Sequence, residues 1–330
     1  MTASIDPGGD SHGPAISVTG LRKSYGSLEA VGGIDLTVQR GEVFALLGPN
    51  GAGKTTTVEI LEGHRERDGG EVNVLGHDPE HGGRAFRQQI GIVLQETGVE
   101  PYLSVEETVA LFRGYYPDPL PLEEVLEVVG LTEQRATRVR RLSGGQQRRL
   151  DVAVGLCGNP ELLFLDEPTT GFDPSARRDA WEVVRNLSSL GTTVLLTTHY
   201  MDEAESLAGR VAILARGRIV AEGRPDELIQ GDEVVTISFR SPGRHATLLD
   251  GITNAATSDG AVTIHTTTAT ATLFELTRRA TERGVELEGL TVTRPTLEDA
   301  YLALTAAEGT ESAETSEGGE SAGGTASGSR

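Results

Sequence analysis

Cysteine is nearly absent from this chain. Cys157 is the one thiol among 330 residues, so no disulfide can close within the chain, and a reducing interior is its natural setting. It follows Val152-Ala153-Val154-Gly155-Leu156, which marks it as a buried, inert packing residue. Long apolar runs are missing too. No stretch reaches the ~18 apolar residues that a membrane-spanning helix requires, so any role at a membrane calls for a partner chain. Met1 to Pro14 is acidic and glycine-bearing without an apolar core, unlike a secretory leader, and is expected to be disordered. Basic charge is scarce: 29 Lys and Arg stand against 49 Asp and Glu, a net charge of −20. That balance argues against a nucleic-acid binder working through a broad basic face. Lysine is the rarest cation, present only as Lys23 and Lys54.

Lys54 stands in the most informative stretch. Gly48-Pro49-Asn50-Gly51-Ala52-Gly53-Lys54-Thr55 fits G-x-x-x-x-G-K-[ST], the phosphate-cradling loop of nucleotide triphosphatases. Glu42 to Leu47 before it reads as a buried strand, and Thr56 to Glu62 after it as a helix start, which is the context the motif needs. Gly48, Gly51 and Gly53 let the backbone turn and aim its N–H groups inward, and the helix N-terminus adds its positive dipole end. Lys54 is expected to reach the outer phosphates and the Thr55 hydroxyl to hold magnesium.

Two further stretches carry chemistry. Leu142-Ser143-Gly144-Gly145-Gln146 places a second glycine-rich run before a helix expected over Gln147 to Cys157, which is either a plain helix cap or a second anion site. Leu162-Leu163-Phe164-Leu165-Asp166-Glu167 reads as a central buried strand ending in two carboxylates. Unpaired charge is too costly for a core, and ligands bind where parallel strands end. Asp166 therefore suits a magnesium shell, and Glu167 a general base or water-orienting group. His199 ends the β-branched strand Thr192 to Thr198 and is expected to touch the γ-phosphate. His77 and His81 are four apart, but Pro79 and Gly82-Gly83 argue against the helix that would pair them on a metal.

Order and spacing then narrow the field. Residues 16–230 resemble the nucleotide-binding subunit of ATP-binding cassette (ABC) transporters, with Leu142 to Gln146 as the family signature. The fold this implies is an α/β P-loop core with an antiparallel β subdomain and a helical signature subdomain over about 96–157. The cassette is expected to span 15–231, a small α+β appendage 232–305, and a disordered acidic tail 306–330. The resemblance makes Gly48, Pro49, Asn50, Gly51, Ala52, Gly53, Lys54, Thr55 and Thr56 the nucleotide loop and Tyr25 the platform that stacks on adenine. Gln95 joins Thr55 and Asp166 around magnesium, Glu167 and His199 become the catalytic pair, and Asp173 links two active sites. Ser143, Gly144, Gly145 and Gln146 contact ATP across a head-to-tail dimer of such subunits. Val99, Tyr102 and Leu103 are expected to line a groove for a helix of a separate membrane permease, which places the chain at the cytoplasmic face of the membrane. Arg294-Pro295-Thr296-Leu297-Glu298-Asp299 resembles the ending of daunorubicin-resistance-type exporter ATPases and is, physically, a capped helix start. The cofactors implied are ATP and Mg2+. The alternative is a soluble ABC ATPase acting on ribosomes or DNA.

Overall fold

The computed structural model describes residues 13–93, 98–229, 234–240, 248–249, 254–258 and 260–302. The expectations for the first twelve residues, for Gln95 and for the acidic tail lie outside the described residues. The chain divides into two compact units, Met1–Pro225 and Asp226–Arg330.

The first unit holds two sheets. β1 (Ile16–Tyr25), β2 (Leu28–Val38) and β4 (Gly69–Val74) form an antiparallel sheet in the order β2-β1-β4. Along β2, Ile34, Leu36 and Val38 are buried while Asp35 between them is exposed, the period-two pattern of a sheet with one covered face. The second sheet runs β5-β6-β7-β3-β8-β9. Its members β5 (Ile90–Val93), β6 (Leu162–Asp166), β7 (Thr193–Thr198), β3 (Val43–Leu47) and β8 (Arg210–Ala215) are parallel, and β9 (Arg218–Gly223) closes the edge antiparallel. Every residue of β3 and β7 is buried, as both faces of a parallel sheet require. Ile16, Ile34 and Val72 of one sheet share a core with Phe44, Phe164, Leu195 and Ala212 of the other. The parallel register sets Leu47 beside Thr198 and Asp166 beside Thr197, so three strand ends open side by side.

Helices cover these strands. α1 (Lys54–Leu61) leaves the glycine loop, and α2 (Gly83–Gln89) leads into β5. α3 (Val105–Arg113), α4 (Leu122–Val128) and α5 (Gly144–Leu156) pack on one another. α3 opens with a reciprocal cap in which the Ser104 hydroxyl accepts from Glu107 N and the Glu107 carboxylate accepts from Ser104 N. α6 (Pro174–Ser189) and α7 (Met201–Leu207) flank β7. Cys157 is buried, and desolvation pushes its thiol up to about 12.

The second unit begins at the start of α8 (Pro225–Ile229). It is an antiparallel sheet of β10 (Val235–Arg240), β11 (Ala255–Ser258), β12 (Ala261–Thr266) and β13 (Glu288–Thr293) in the order β11-β12-β10-β13. α9 (Ala269–Arg283) closes a core of Ile237, Phe239, Val262, Ile264 and Leu276 against it. A further helical stretch starts at 297, where Asp299 accepts from the Thr296 amide and hydroxyl.

Several elements differ from the sequence reading. α5 starts at Gly144 rather than Gln147, because Ser143 caps it and draws both glycines into the first turn. β13 starts at Glu288 rather than Val285. α2, α7 and β11 were not expected: α2 opens on a glycine, α7 buries a glutamate and an alanine, and β11 is Ala-Ala-Thr-Ser. None of the three offers the apolar period on which such a reading depends. His77 and His81 indeed share no helix, but Asp78 and Glu80 gather beside His81. Arg67 binds both carboxylates, which accounts for the cluster without a metal.

Two stability tests follow from this packing. Phe164 in β6 is fully buried, so Phe164→Ala lowers the free energy of unfolding by about 3–5 kcal/mol, read from the urea midpoint. Glu62 caps the C-terminal end of α1 at 4 % exposure. Burial first, and then the Asp166 and Glu59 carboxylates, push its carboxyl from 4.5 up to about 8. A carboxyl raised on folding leaves stability intact below its unfolded value and erodes it as pH climbs through the interval to the folded one. In nucleotide- and metal-free protein, Glu62→Gln therefore flattens the loss of stability between pH 5 and 8, measured by urea unfolding at each pH.

Candidate active site

The glycine loop is shaped by its neighbours. A Cβ on Gly48 would lie 2.3 Å from Leu214 O, and Gly53 holds φ +105° with Ala30 O 2.4 Å from where its Cβ would be. No other residue fits either position. Gly48 N donates to Thr198 O at 3.3 Å, and Gly217 N to Ala52 O at 2.9 Å, so β7 and the β8–β9 turn hold the loop from two sides. α1 then starts without a side-chain cap and without an acidic residue in its first turn. The amides of Gly51, Gly53, Lys54 and Thr55 donate to no acceptor among the described residues. An unfinished helix N-terminus of this kind fits an anion.

Lys54 is 5 % exposed. Its Nζ donates to Gly48 O at 2.7 Å and Pro49 O at 3.2 Å, and lies 3.5 Å from Glu167 Oε1. Burial lowers its pKa, against the pull of Glu167 and Asp166.

The carboxylates stand at the end of β6. Asp166 Oδ1 accepts from Thr197 Oγ1 at 2.5 Å, and Glu167 N donates to the same hydroxyl at 3.0 Å. Thr197 thus fixes both residues, a role the sequence reading missed because it arises from strand register. Glu167 sits at φ +43°, a strained backbone for a residue with a side chain. Its Oε2 accepts from Thr170 Oγ1 at 3.0 Å, and its Oε1 lies 3.2 Å from His199 Nδ1. Burial alone would raise this carboxyl. The Thr170 hydrogen bond, the nearby His199 ring and the charge of Lys54 outweigh it and hold the group below its ordinary value. The structure therefore brings Lys54, Asp166, Glu167 and His199 together. Asp166 and the exposed Thr55 hydroxyl offer hard oxygen donors, the chemistry that suits magnesium.

Tyr25 ends β1 at 40 % exposure, with Arg65 Cζ 5.3 Å and Lys23 Nζ 5.9 Å from its ring centre. Ala30, on the strand that follows, abuts Gly53, which ties this hairpin to the loop. Gln95 lies outside the described residues.

The signature forms a separate site. Ser143 Oγ accepts from Gln146 N at 3.3 Å, and Gln146 Oε1 from Ser143 N at 3.0 Å, so the helix-cap reading holds locally. Ser143 to Gln146 line an open cleft of about 720 Å³ with Gly171, Phe172 and Asp173, and none of Gly48–Thr56, Glu167 or His199 takes part in that lining. Asp173 caps α6, accepting from Ser175 N and Ala176 N, and those two bonds lower its pKa. One signature-helix residue reaches the other cluster. Arg148 is buried and donates to Asp166 O and Pro168 O, each at 3.1 Å. In the sequence it is only one of two adjacent arginines between Gln147 and Leu150.

With this geometry in place, comparison with known proteins is direct. Residues 31–170 match the ABC transporter family, and residues 235–296 the C-terminal domain of ABC transporter domain-containing-like proteins. The chain is 39% identical over 303 residues to the daunorubicin resistance ATP-binding protein DrrA3 of Streptomyces coeruleorubidus, covering 88% of this chain and 96% of that protein. It is 44% identical over 222 residues to the Nod factor export ATP-binding protein I of Ralstonia nicotianae, covering 66% and 69%. Among solved structures it is similar to cbiO1 of Clostridium perfringens, part of the ABC transporter complex cbiONQ, at 28% identity and TM-score 0.59 over 66% of this chain and 92% of that one. It is also similar to the dimeric post-hydrolysis state of the ATP-binding cassette MJ0796 bound to ADP and Pi, at 25% identity and TM-score 0.56 over 63% and 98%. The chain belongs to the ABC transporter family, as one of its ATP-binding, ATP-hydrolysing subunits.

Proposed function

We propose that two copies of this chain close head to tail on ATP, and that this closure drives a separate membrane permease that exports drugs, antibiotics or lipids. One observation carries the dimer: the signature lines a cleft that contains no residue of the phosphate loop, so one copy leaves a bound triphosphate contacted on one side. The glycine loop of one copy and Ser143 to Gln146 of the other then approach the phosphates from opposite directions, each with a helix N-terminus. The export direction is supported by the names of the daunorubicin resistance and Nod factor export relatives. Among the described residues no helix is long and apolar enough to cross a membrane, and the permease supplies the crossing. The complex places this chain at the cytoplasmic face.

Each residue has a physical task. The amides of Gly51, Gly53, Lys54 and Thr55 bind phosphate oxygens, with Pro49, Asn50, Ala52 and Thr56 shaping the loop. Lys54 exchanges the Gly48 and Pro49 carbonyls for the outer phosphates, and Tyr25 stacks on adenine. Thr55, Asp166 and Gln95 would hold Mg2+, which supplies charge neutralisation between the phosphates. Glu167, kept ionised by Thr170 and His199, orients the attacking water and takes up its proton. His199 contacts the γ-phosphate and so links Glu167 to the presence of nucleotide. Asp173, beside the signature, senses the second site.

Two measurements test this. Glu167→Gln keeps the shape and loses the base, so it binds ATP, hydrolyses it about 10²–10⁴-fold more slowly and accumulates as an ATP-held dimer. Phosphate release and light scattering read both effects, and near-normal turnover removes Glu167 from the role. Tyr102 is 62 % exposed, stacked 5.2 Å from Arg140 Cζ, with Leu103 half-buried beside it. The double variant Tyr102→Ala, Leu103→Ala abolishes efflux in cells that carry the permease while the purified protein keeps its ATPase rate. Intact efflux rejects the groove.

A further inference from the structure

His199 and Glu167 sit 3.2 Å apart on the ends of different strands, and a third carboxylate joins the segments that carry them. Glu203 is fully buried in the first turn of α7. Its Oε1 accepts from Thr169 Oγ1 at 2.8 Å and from Trp181 Nε1 at 3.2 Å. Thr169 follows Glu167 by two residues and adjoins Thr170, which donates to the Glu167 carboxylate. α7, which carries Glu203, begins two residues after His199, and Ala204 N donates to Tyr200 O at 3.3 Å. Trp181 lies on α6, the helix capped by Asp173. Glu203 Oε2 meanwhile is sealed from water with no hydrogen-bond partner among the described residues. Evolutionarily cheaper residues would fill this space without that desolvation cost.

The flanking contacts make α6 and α7 a single body. Arg177 Cζ stacks 4.1 Å from the Tyr200 ring centre, and Arg185 Nη2 donates to Ser206 Oγ at 2.6 Å. With Trp181 these residues recur every four positions along one face of α6, and Glu203 is the buried centre of the seam.

We propose that Glu203 is a positioning residue for ATP hydrolysis. It sets the separation of Glu167 and His199 by binding Thr169, beside the first, from the helix that starts just after the second, and it passes a displacement of His199 through Trp181 to α6 and Asp173. This rests on the roles given above to Glu167 and His199. The residue touches no reacting atom. Its effect runs through the hydroxyl of Thr169, the indole of Trp181 and the first turn of α7.

Trp181 is the only tryptophan, so its emission reports from inside the seam. The test uses the full chain as wild type, Glu203→Ala, Glu203→Gln and Thr169→Val. The readouts are kcat and KM for ATP, affinity for a non-hydrolysable ATP analogue, melting temperature, and Trp181 emission with and without the analogue. Wild type shifts its emission when the analogue binds. Glu203→Ala and Thr169→Val lower kcat about tenfold or more with analogue affinity changed less than about threefold, and both lose the emission shift. Glu203→Gln keeps an oxygen acceptor in place and recovers kcat to within about threefold of wild type. Should Glu203→Ala fail to fold, Thr169→Val decides, since it removes one hydroxyl at nearly constant volume. A Thr169→Val protein with unchanged melting temperature, wild-type kcat and a normal emission shift overturns the proposal, as does a wild type whose emission ignores the analogue. A wild type without ATPase activity instead overturns the roles of Glu167 and His199.

Discussion

A buried ammonium group needs compensation from every direction, and Lys54 receives it from two different parts of the chain. Gly48 and Pro49 offer carbonyls from its own loop, while Glu167 approaches from the end of β6. The phosphate loop and the carboxylate strand are thereby drawn to a common point before any ligand arrives. The same contact opposes the lowering of Lys54 by burial and helps keep Glu167 ionised. Each group thus holds the other in the protonation state that hydrolysis uses. The parallel register beneath them, Asp166 beside Thr197 and Leu47 beside Thr198, supplies the platform.

The N-termini of α1 and α5 are finished differently, and the difference tracks their surroundings. α1 starts behind a loop pinned on two sides, with amides left without acceptors among the described residues. α5 starts at an exposed position and closes its own end with Ser143 and Gln146. An exposed terminus can shed a side-chain cap for a phosphate at small cost, because water serves the displaced groups. α1 has no side-chain cap to shed and is left open to the ligand. Glycine at 144 and 145 keeps the approach to α5 clear, while Gly48 and Gly53 are needed because neighbouring carbonyls fill the space of a side chain.

How much of this could be read in advance depended on distance along the chain. The glycine loop, the paired carboxylates and the Ser-Gly-Gly run declare themselves within a few residues, since each is a strand end or helix start with its chemistry attached. Thr197, Arg148 and Glu203 did not, because each acts on a segment far along the sequence and reveals itself only through register or packing. Arg148 looks like one more cation in an arginine-rich helix until its guanidinium is seen on Asp166 O and Pro168 O. α7 was missed for a related reason: what it buries is a carboxylate, and a carboxylate in a core is the opposite of the apolar signal that announces a helix.

The near-absence of lysine takes on meaning beside the fate of the two that remain. Lys23 is tied to Asp68 at 2.8 Å, and Lys54 is enclosed by its own loop. Guanidinium groups carry almost all other positive charge, and they do not react as amines toward acyl donors. Acylating metabolites or amine-directed crosslinkers therefore find few side chains to modify on this protein. One of the two is shut away behind the fuel site, where nucleotide itself would act as its protecting group.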